Sequence, residues 1–486
     1  MAKKDRPNIL WFCTDQQRFD TIAALGNEHI STPNLDRLCA SGTAFTRAYC
    51  QAPICTPSRS SFLTGMYPST IGASRNGNAY FADRFPLLPK ILADEGYRCG
   101  NVGKLHLASA FNGVEPRVDD GYSEFYYSHA PRDAWEEGHD YADWVKQKGG
   151  NLAELSMDSD GVPAEFHQST WAADRSIEFA GRKDPRPWFL SVNVYDPHPP
   201  FNPPKLYREM FPPQSLPGPH FIPEDLEQQK YLESIDFQSH AQHPEALDIP
   251  NPVLPVDPAP DPDNPGGETA GERDAQTLIS AYYAMIRLID DQLGRILDAL
   301  EDSGQAENTI VVFSSDHGET LGDHGLILKG CRFYEGLVRV PLIWSWPGHI
   351  QANAVRDDLV ELTDIAPTLL DLAGLEPLER MQGLSLQSTL SDGAAVERSG
   401  VRSEFYDALD LPHHSRATMW RTERYKLVVY HGTGKGELFD LDADPWEHEN
   451  LWLDPDHAEI RQALLAESYD QTVAAIDPGP PRSGSF

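Results

Sequence analysis

The sequence predicts an α/β fold, in which a sheet of buried, mostly parallel strands is flanked by helices and followed by a small antiparallel subdomain. Three observations predict it. Short apolar runs at 8–13, 97–102, 188–194 and 309–314 have the unbroken hydrophobic character of strands covered on both faces. Helix-like stretches lie between them, the longest at 275–300 with Leu278, Met285, Leu288, Ile289, Ile296, Leu297 and Leu300 on one stripe. Beyond about residue 390 the pattern changes to strand-like segments at 425–430 and 437–440 and a terminal helix.

The chain has 486 residues with 40% hydrophobic and 10% aromatic content, enough for a large core. We divide it into one α/β domain over 1–390 and an α+β subdomain over 391–486. The formal charge of −34 excludes nucleic acid and anionic membranes as partners, since both need basic surface. An anionic small substrate stays open, because a local cluster of Lys and Arg can dominate its own cleft. No apolar leader precedes the first strand, and no apolar run reaches membrane-spanning length. The six cysteines (13, 39, 50, 55, 99 and 331) lack the CxxC pairs of zinc ribbons and the density of a disulfide scaffold. A cytoplasmic protein with reduced thiols is the expectation; oligomeric state is open.

In chain order, the first strand ends at Asp15 and Gln16, where an open α/β sheet places its ligands. A Pro-started helix follows at 32–38. Then comes Cys55-Thr56-Pro57-Ser58-Arg59, continued by Ser60-Ser61-Phe62-Leu63-Thr64-Gly65. Pro57 fits a first helical turn, which puts Cys55 at a helix start where free N–H groups and the dipole favour negative charge. Arg59, four residues on, adds a fixed cation to that face. Asn76 is a weaker candidate for a substrate-facing group.

A helix at 87–95 leads to the second strand, which ends in Gly103-Lys104-Leu105-His106. Continued period-two alternation would put Lys104 and His106 on one side. The third strand stops at Asp196-Pro197-His198-Pro199-Pro200, where prolines hold His198 in a stiff loop. Residues 197–265 contain eighteen of the forty prolines and read as an insertion, to about 270, that wraps the surface or lids the cleft and is not a second core. Its most linker-like part is 256–262. The fourth strand ends in Asp316-His317-Gly318-Glu319, with Lys329 following, and 361–370 reads as another helix.

Four strand ends thus carry Asp15/Gln16, Lys104/His106, Asp196/His198 and Asp316/His317, with Cys55 on a helix start between the first two. Charged groups at one rim of a sheet are costly to crowd unless they bind something. Two carboxylates, an amide and a His can ligate a divalent cation.

The Cys-x-Pro-Ser-Arg string with its Leu-Thr-Gly continuation resembles the type I sulfatases of the alkaline phosphatase superfamily, and the likeness extends over nearly the whole chain. The metal motifs match at Asp15, Gln16, Asp316 and His317, the Gly-Lys-x-His element at Lys104 and His106, the later His at His198, and the following Lys at Lys329. The stretch 424–450 resembles the family's C-terminal subdomain. The resemblance implies an alkaline-phosphatase-like sandwich with a large mixed, mostly parallel sheet. It implies that a maturation enzyme oxidises Cys55 to Cα-formylglycine, whose hydrate at position 55 joins the metal ligands through one oxygen and attacks the sulfur of an arylsulfate-like ester on one divalent metal ion. Asp316 would then help deprotonate the hydrate. Lys104, Lys329 and Arg59 would hold the sulfate oxygens, and His198 with Lys329 would assist the departing alcohol. His106 would take a proton from the second hydroxyl as sulfate leaves.

Two departures from the common pattern matter. Gln16 stands where many sulfatases have a second Asp, and His317 where many have Asn. Ca²⁺ is favoured as the family's usual metal, with Mn²⁺ the alternative because imidazole suits it better. The same Asp-Gln and Asp-His pairs occur in phosphonate monoester and phosphodiester hydrolases of the superfamily, which replace the Lys and His of the Gly-Lys-x-His element. Lys104 and His106 are both present, which favours the sulfatase reading. From another class, a binding or redox protein with an unmodified low-pKa Cys55 gives no role to Lys104, His106, His198 and Lys329.

Overall fold

The computed structural model describes residues 6–82, 84–111, 113–131, 137–156, 160–235, 240–249, 271–409 and 414–476. The apolar runs become strands: β1 (Asn8–Thr14), β3 (Arg98–Gly103), β5 (Trp188–Asn193) and β8 (Thr309–Ser315). They join β2 (Thr43–Tyr49), β4 (Glu124–Tyr127), β9 (Arg339–Ser345) and β10 (Ala354–Glu361) in an eight-stranded sheet of order β10-β2-β9-β8-β1-β5-β3-β4. All its pairings are parallel except those of β9, which runs against both β2 and β8. β8, β1, β5 and β3 are therefore four adjacent parallel strands whose carboxyl ends lie along one rim.

β1 shows why its sequence does not alternate. Ile9, Trp11 and Cys13 enter the core on one face of the sheet, while Leu10 and Phe12 enter the core on the other. Both faces are covered, so every position from Ile9 to Cys13 is apolar. The helix Cys55–Thr64 lies on the first face, with Phe62 edge-on to Trp11 at 4.9 Å between ring centroids. The helices Pro33–Ala40, Gln168–Ala180 and Ala275–Asp302 cover the second.

The described part of the insertion does build a core of its own. Phe201, Phe211, Leu216 and Leu247 pack on Leu278, Tyr282 and Ile286, a further face of the Ala275–Asp302 helix. The insertion contributes the helix Glu224–Leu232 and a hairpin of β6 (Leu247–Ile249) and β7 (Gly271–Arg273). The linker-like 256–262 lies outside the described residues.

The helix expected at 361–370 starts later. Glu361 closes β10, a short 3-10 turn spans Leu362–Asp364, and the α-helix proper is Ile365–Leu372. The Glu361 and Asp364 side chains cap each other's backbone there, which ends the strand and starts the helix within three residues.

β11 (Gly400–Tyr406), β12 (Arg416–Thr422), β13 (Tyr425–Tyr430) and β14 (Lys435–Asp440) form an antiparallel sheet in sequence order, backed by the helix Ala458–Ala474. A buried ion triad ties this sheet to the larger one: Lys426 Nζ sits 2.7 Å from Glu335 and 2.8 Å from Glu447. Among the described residues no helix is long and apolar enough to cross a membrane, and all six cysteines are free and buried.

Candidate active site

The carboxyl ends of β8, β1, β5 and β3 and the start of the Cys55 helix converge on one buried cluster. Asp15, Cys55, Asp316 and His317 present ligand atoms that all lie within 4.8 Å of one another. Cys55 Sγ is 3.0 Å from Lys329 Nζ, 3.2 Å from His317 Nε2 and 3.7 Å from Asp15 Oδ1. Burial and Asp15 push its thiol up, but Lys104, Lys329 and His317 outweigh them and bring it down to about 7. Asp15 lies well below the usual carboxylate range: burial opposes this, and the fixed cations Lys104, Lys329 and Arg59 prevail.

Gln16 adopts φ 71°, a left-handed conformation uncommon for a side chain of its size. It is held there by its N–H on Asp316 Oδ1 at 3.0 Å and its carbonyl under the Tyr282 hydroxyl at 2.5 Å. Its amide Nε2 donates to Glu319, which leaves Oε1 facing Lys329 Nζ at 2.8 Å. His317 Nδ1 lies 2.9 Å from the Gly318 carbonyl, so that nitrogen carries a proton and Nε2 is the one turned into the cluster, where Asp316 raises the imidazole's pKa against its burial. The Lys329 ammonium, 3.3 Å from His317 Nε2, touches the amide, the imidazole and the thiol at once. The Asp15, Asp316 and His317 ligand atoms lie within 4.8 Å of one another, and with the Gln16 amide oxygen joined to them through Lys329 they form a donor set of two carboxylates, one amide and one imidazole that suits a hard or borderline divalent ion.

Arg59 is placed differently from the expectation. Its guanidinium, 1% exposed, lies beneath the carboxylates: Nε is 2.8 Å from Asp316 Oδ2 and one terminal nitrogen 3.4 Å from Asp15 Oδ2. The other donates to the Lys104 carbonyl at 3.0 Å and Asn193 Oδ1 at 3.2 Å. Helical spacing brought Arg59 to the right face, but two carboxylates claim its donors. Asn76 likewise points inward, its Oδ1 accepting from Thr56 N–H at 3.1 Å and capping the Cys55 helix.

The Lys104 ammonium pairs with Asp15 Oδ2. The alternation expected to align His106 with it fails, because β3 ends at Gly103 and His106 itself has φ 57°. Gly103, at φ 100°, passes so close to Asn193 that a Cβ would lie 1.9 Å from its carbonyl oxygen. The chain therefore turns, and His106 is fixed by its N–H on Glu115 at 2.8 Å and by its ring edge-on to His129 at 4.4 Å. Burial, Lys104 and His129 hold His106 well below its usual pKa, and its Nδ1 is without a hydrogen-bond partner. His198 is half-buried, with Nδ1 2.7 Å from the Pro199 carbonyl. Burial, then Lys329, keep it neutral.

Asp196, grouped with His198 from the sequence, turns away. Its carboxyl is buried 3.4 Å from His167 Nε2 and pushed up to about 8 by burial. The residues missed from the sequence are Glu319, Asn193, Ser58 and Glu115. Ser58 donates to the Asp316 carbonyl at 2.5 Å. Glu319 stood in the quoted strand-end string, and its place beside His317 was the signal available.

Comparison with known proteins is consistent along the chain. The sulfatase family profile matches residues 7–375, and the profile of the C-terminal region of N-sulphoglucosamine sulphohydrolase matches 322–473. An arylsulfatase of Clostridium perfringens is 30% identical over 487 aligned residues, covering 95% of this chain and 94% of that protein. The multifunctional alkaline phosphatase superfamily protein PehA of Trinickia caryophylli is 28% identical, covering 94% and 93%. Among solved structures, the phosphonate monoester hydrolase of Agrobacterium radiobacter superposes with a TM-score of 0.79 at 27% identity, covering 97% of this chain and 96% of that one.

Proposed function

The chain belongs to the sulfatase family, and from that membership we propose that it hydrolyses sulfate esters to an alcohol or phenol and inorganic sulfate at the Cys55 site. The observation that carries the proposal is the company Cys55 keeps. A buried helix start, two lysines, an imidazole and two carboxylates surround one side chain, an arrangement suited to an anion and a cation together.

Asp15, Gln16, Asp316 and His317 would hold a divalent metal, Ca²⁺ or Mn²⁺. Metal and formylglycine together would supply an activated hydroxyl for attack on sulfur and a second hydroxyl whose deprotonation releases sulfate. The rest falls to this chain's own side chains. Lys329 and Lys104 bind sulfate oxygens and offset charge in the transition state. His198, with Nδ1 tied to Pro199, turns Nε2 toward the leaving oxygen, and Lys329 can supply the proton. His106 is neutral with Nδ1 unpartnered, the form a base must take to accept a proton. Arg59 fixes the two carboxylates from below and does not meet the ester.

The alcohol half of the substrate is assigned to a cavity of about 530 Å³ between the loop 72–78 and the C-terminal sheet. Ser74, Arg75, Asn78, Tyr406, Arg416 and His431 line it, and the same loop sends Asn76 to the Cys55 helix. On this division 1–390 carries the chemistry and 391–486 shapes the pocket.

A second reading, phosphonate monoester or phosphodiester hydrolysis, is favoured by the solved hydrolase of that name and by Gln16 and His317. The test has two parts, on protein co-produced with a formylglycine-generating enzyme. The peptide containing residue 55 should be lighter by roughly 18 Da, as thiol-to-aldehyde oxidation requires. An aryl sulfate should then exceed a phenylphosphonate ester in kcat/KM. Hydrolysis of sulfate esters by protein with an intact cysteine would sink the mechanism, and the reverse substrate order would replace the first reading by the second.

A further inference from the structure

Away from the Cys55 cluster, two imidazoles and a carboxylate from three separate segments meet at one point. Asp225 lies in the helix Glu224–Leu232, His324 in the turn that follows the β8 site residues, and His448 beyond β14. His448 Nδ1 is 3.0 and 3.1 Å from the two Asp225 oxygens, and His324 Nδ1 is 3.4 Å from Oδ1. We propose that Asp225, His324 and His448 form a second metal site, one for a borderline divalent ion such as Zn²⁺, which clasps the insertion, the active-site loop and the C-terminal subdomain together.

The distances suit the ion. Ligands 2.0–2.1 Å from a tetrahedral zinc stand about 3.3 Å apart; both carboxylate–imidazole distances already lie near that spacing, and the three ligand atoms all fall within 4.8 Å of one another. Two nitrogens and one carboxylate oxygen are a donor set that zinc accepts and calcium does not favour.

A second observation separates this cluster from a plain hydrogen-bonded network. His324 is 2% exposed, and its Nδ1 stands 3.4 Å from the carboxylate without the geometry of a good hydrogen bond. A buried imidazole nitrogen left so is costly, and a metal bond would satisfy it. Its ring cannot easily turn elsewhere. Tyr334 stacks on it at 3.9 Å, and the backbone at φ 54° is pinned by its N–H on the His220 carbonyl at 2.9 Å. Asp225 is held ionised, against its burial, by the two imidazoles and by Ile222 N–H at 2.9 Å on its second oxygen. His448 is partly exposed, with its side chain at 22%, and gives an entry path and room for a water as fourth ligand.

The site is structural in kind. His324 lies between Glu319 and Lys329, so an ion here would fix the loop that delivers both to the Cys55 cluster. The test compares the wild-type chain with His448→Gln, whose ligand sits at the rim. Both are stripped with chelator, re-equilibrated with Zn²⁺ and analysed for metal per chain. The wild type should hold one more zinc than the variant, and zinc should raise the wild type's unfolding temperature by several degrees more than the variant's. Equal zinc content and equal shifts would overturn the proposal. Should the variant fail to fold, the wild type alone decides. Zinc on Nδ1 leaves a proton on Nε2, so it should protect His448 from diethyl pyrocarbonate, and unchanged labelling would overturn the site.

Discussion

Arg59→Lys separates two roles for a guanidinium that the sequence alone places beside the reacting group. The substitution keeps the charge and removes the fork. A lysine ammonium can reach one carboxylate, so the variant loses either the 2.8 Å bond to Asp316 or the 3.4 Å contact with Asp15, and with it the donors to the Lys104 carbonyl and Asn193. Hydrogen bonds to charged groups contribute about 1.5–3 kcal/mol each, and a broken buried ion pair costs about 3–5 kcal/mol. A loss of about 3–5 kcal/mol in unfolding free energy is therefore expected, read from urea unfolding of the metal-free protein. Because the freed carboxylate is one of two proposed anionic metal ligands, affinity for Mn²⁺ should fall about 10–100-fold. On arylsulfate, kcat should drop with metal occupancy, and saturating metal should restore part of it. Should stability and metal affinity stay at wild-type values while KM alone rises tenfold, the guanidinium contacts sulfate and the positioning role assigned here is wrong.

Three further outcomes are expected. Lys329→Met should lower kcat/KM for an aryl sulfate by about 10²–10³ while leaving the unfolding midpoint nearly unchanged, since the side chain is half-buried and sits over the cluster; a stability loss with intact turnover would contradict this. Asn76→Ala removes the cap on Thr56 N–H and should cost about 1 kcal/mol of stability, without the large KM change a substrate contact would give. Lys426→Met leaves Glu335 and Glu447 buried without their cation, at a cost of about 3–5 kcal/mol at neutral pH. Burial alone would raise Glu335, but Lys426 holds it low in the wild type. Glu335 therefore stabilises the fold above the ordinary carboxylate range near about 4.3, a contribution that fades as pH falls through its depressed folded value, whereas burial raises Glu447 to about 7 despite Lys426. In the variant the carboxylates favour protonation, so the gap in unfolding temperature should narrow from pH 7 toward pH 4. A gap independent of pH would mean that the triad does not titrate as described.

The sequence by itself determined the α/β class, the four strands whose carboxyl ends form the site, the helix start at Cys55, and the identity of the side chains on that rim. Each of those is a local property. Both-face burial writes an unbroken apolar run, a strand end exposes the next residues, and a proline in the first turn marks a helix start. The antiparallel β9 and the neighbours β2 and β10 were not legible, because an internal strand running either way carries the same hydrophobic signal. Only the tertiary structure decided where the donors go. Arg59 and Asn76 were placed correctly along the chain but turned inward, toward the Asp15 and Asp316 carboxylates and the Thr56 amide. His106 left the extended path because Gly103 packs against the Asn193 carbonyl at the adjoining strand. Asp225, His324 and His448 met although Asp225 and His448 are 223 residues apart in sequence. Such pairings are set by which partner is nearest after packing, and no spacing within one chain encodes that distance.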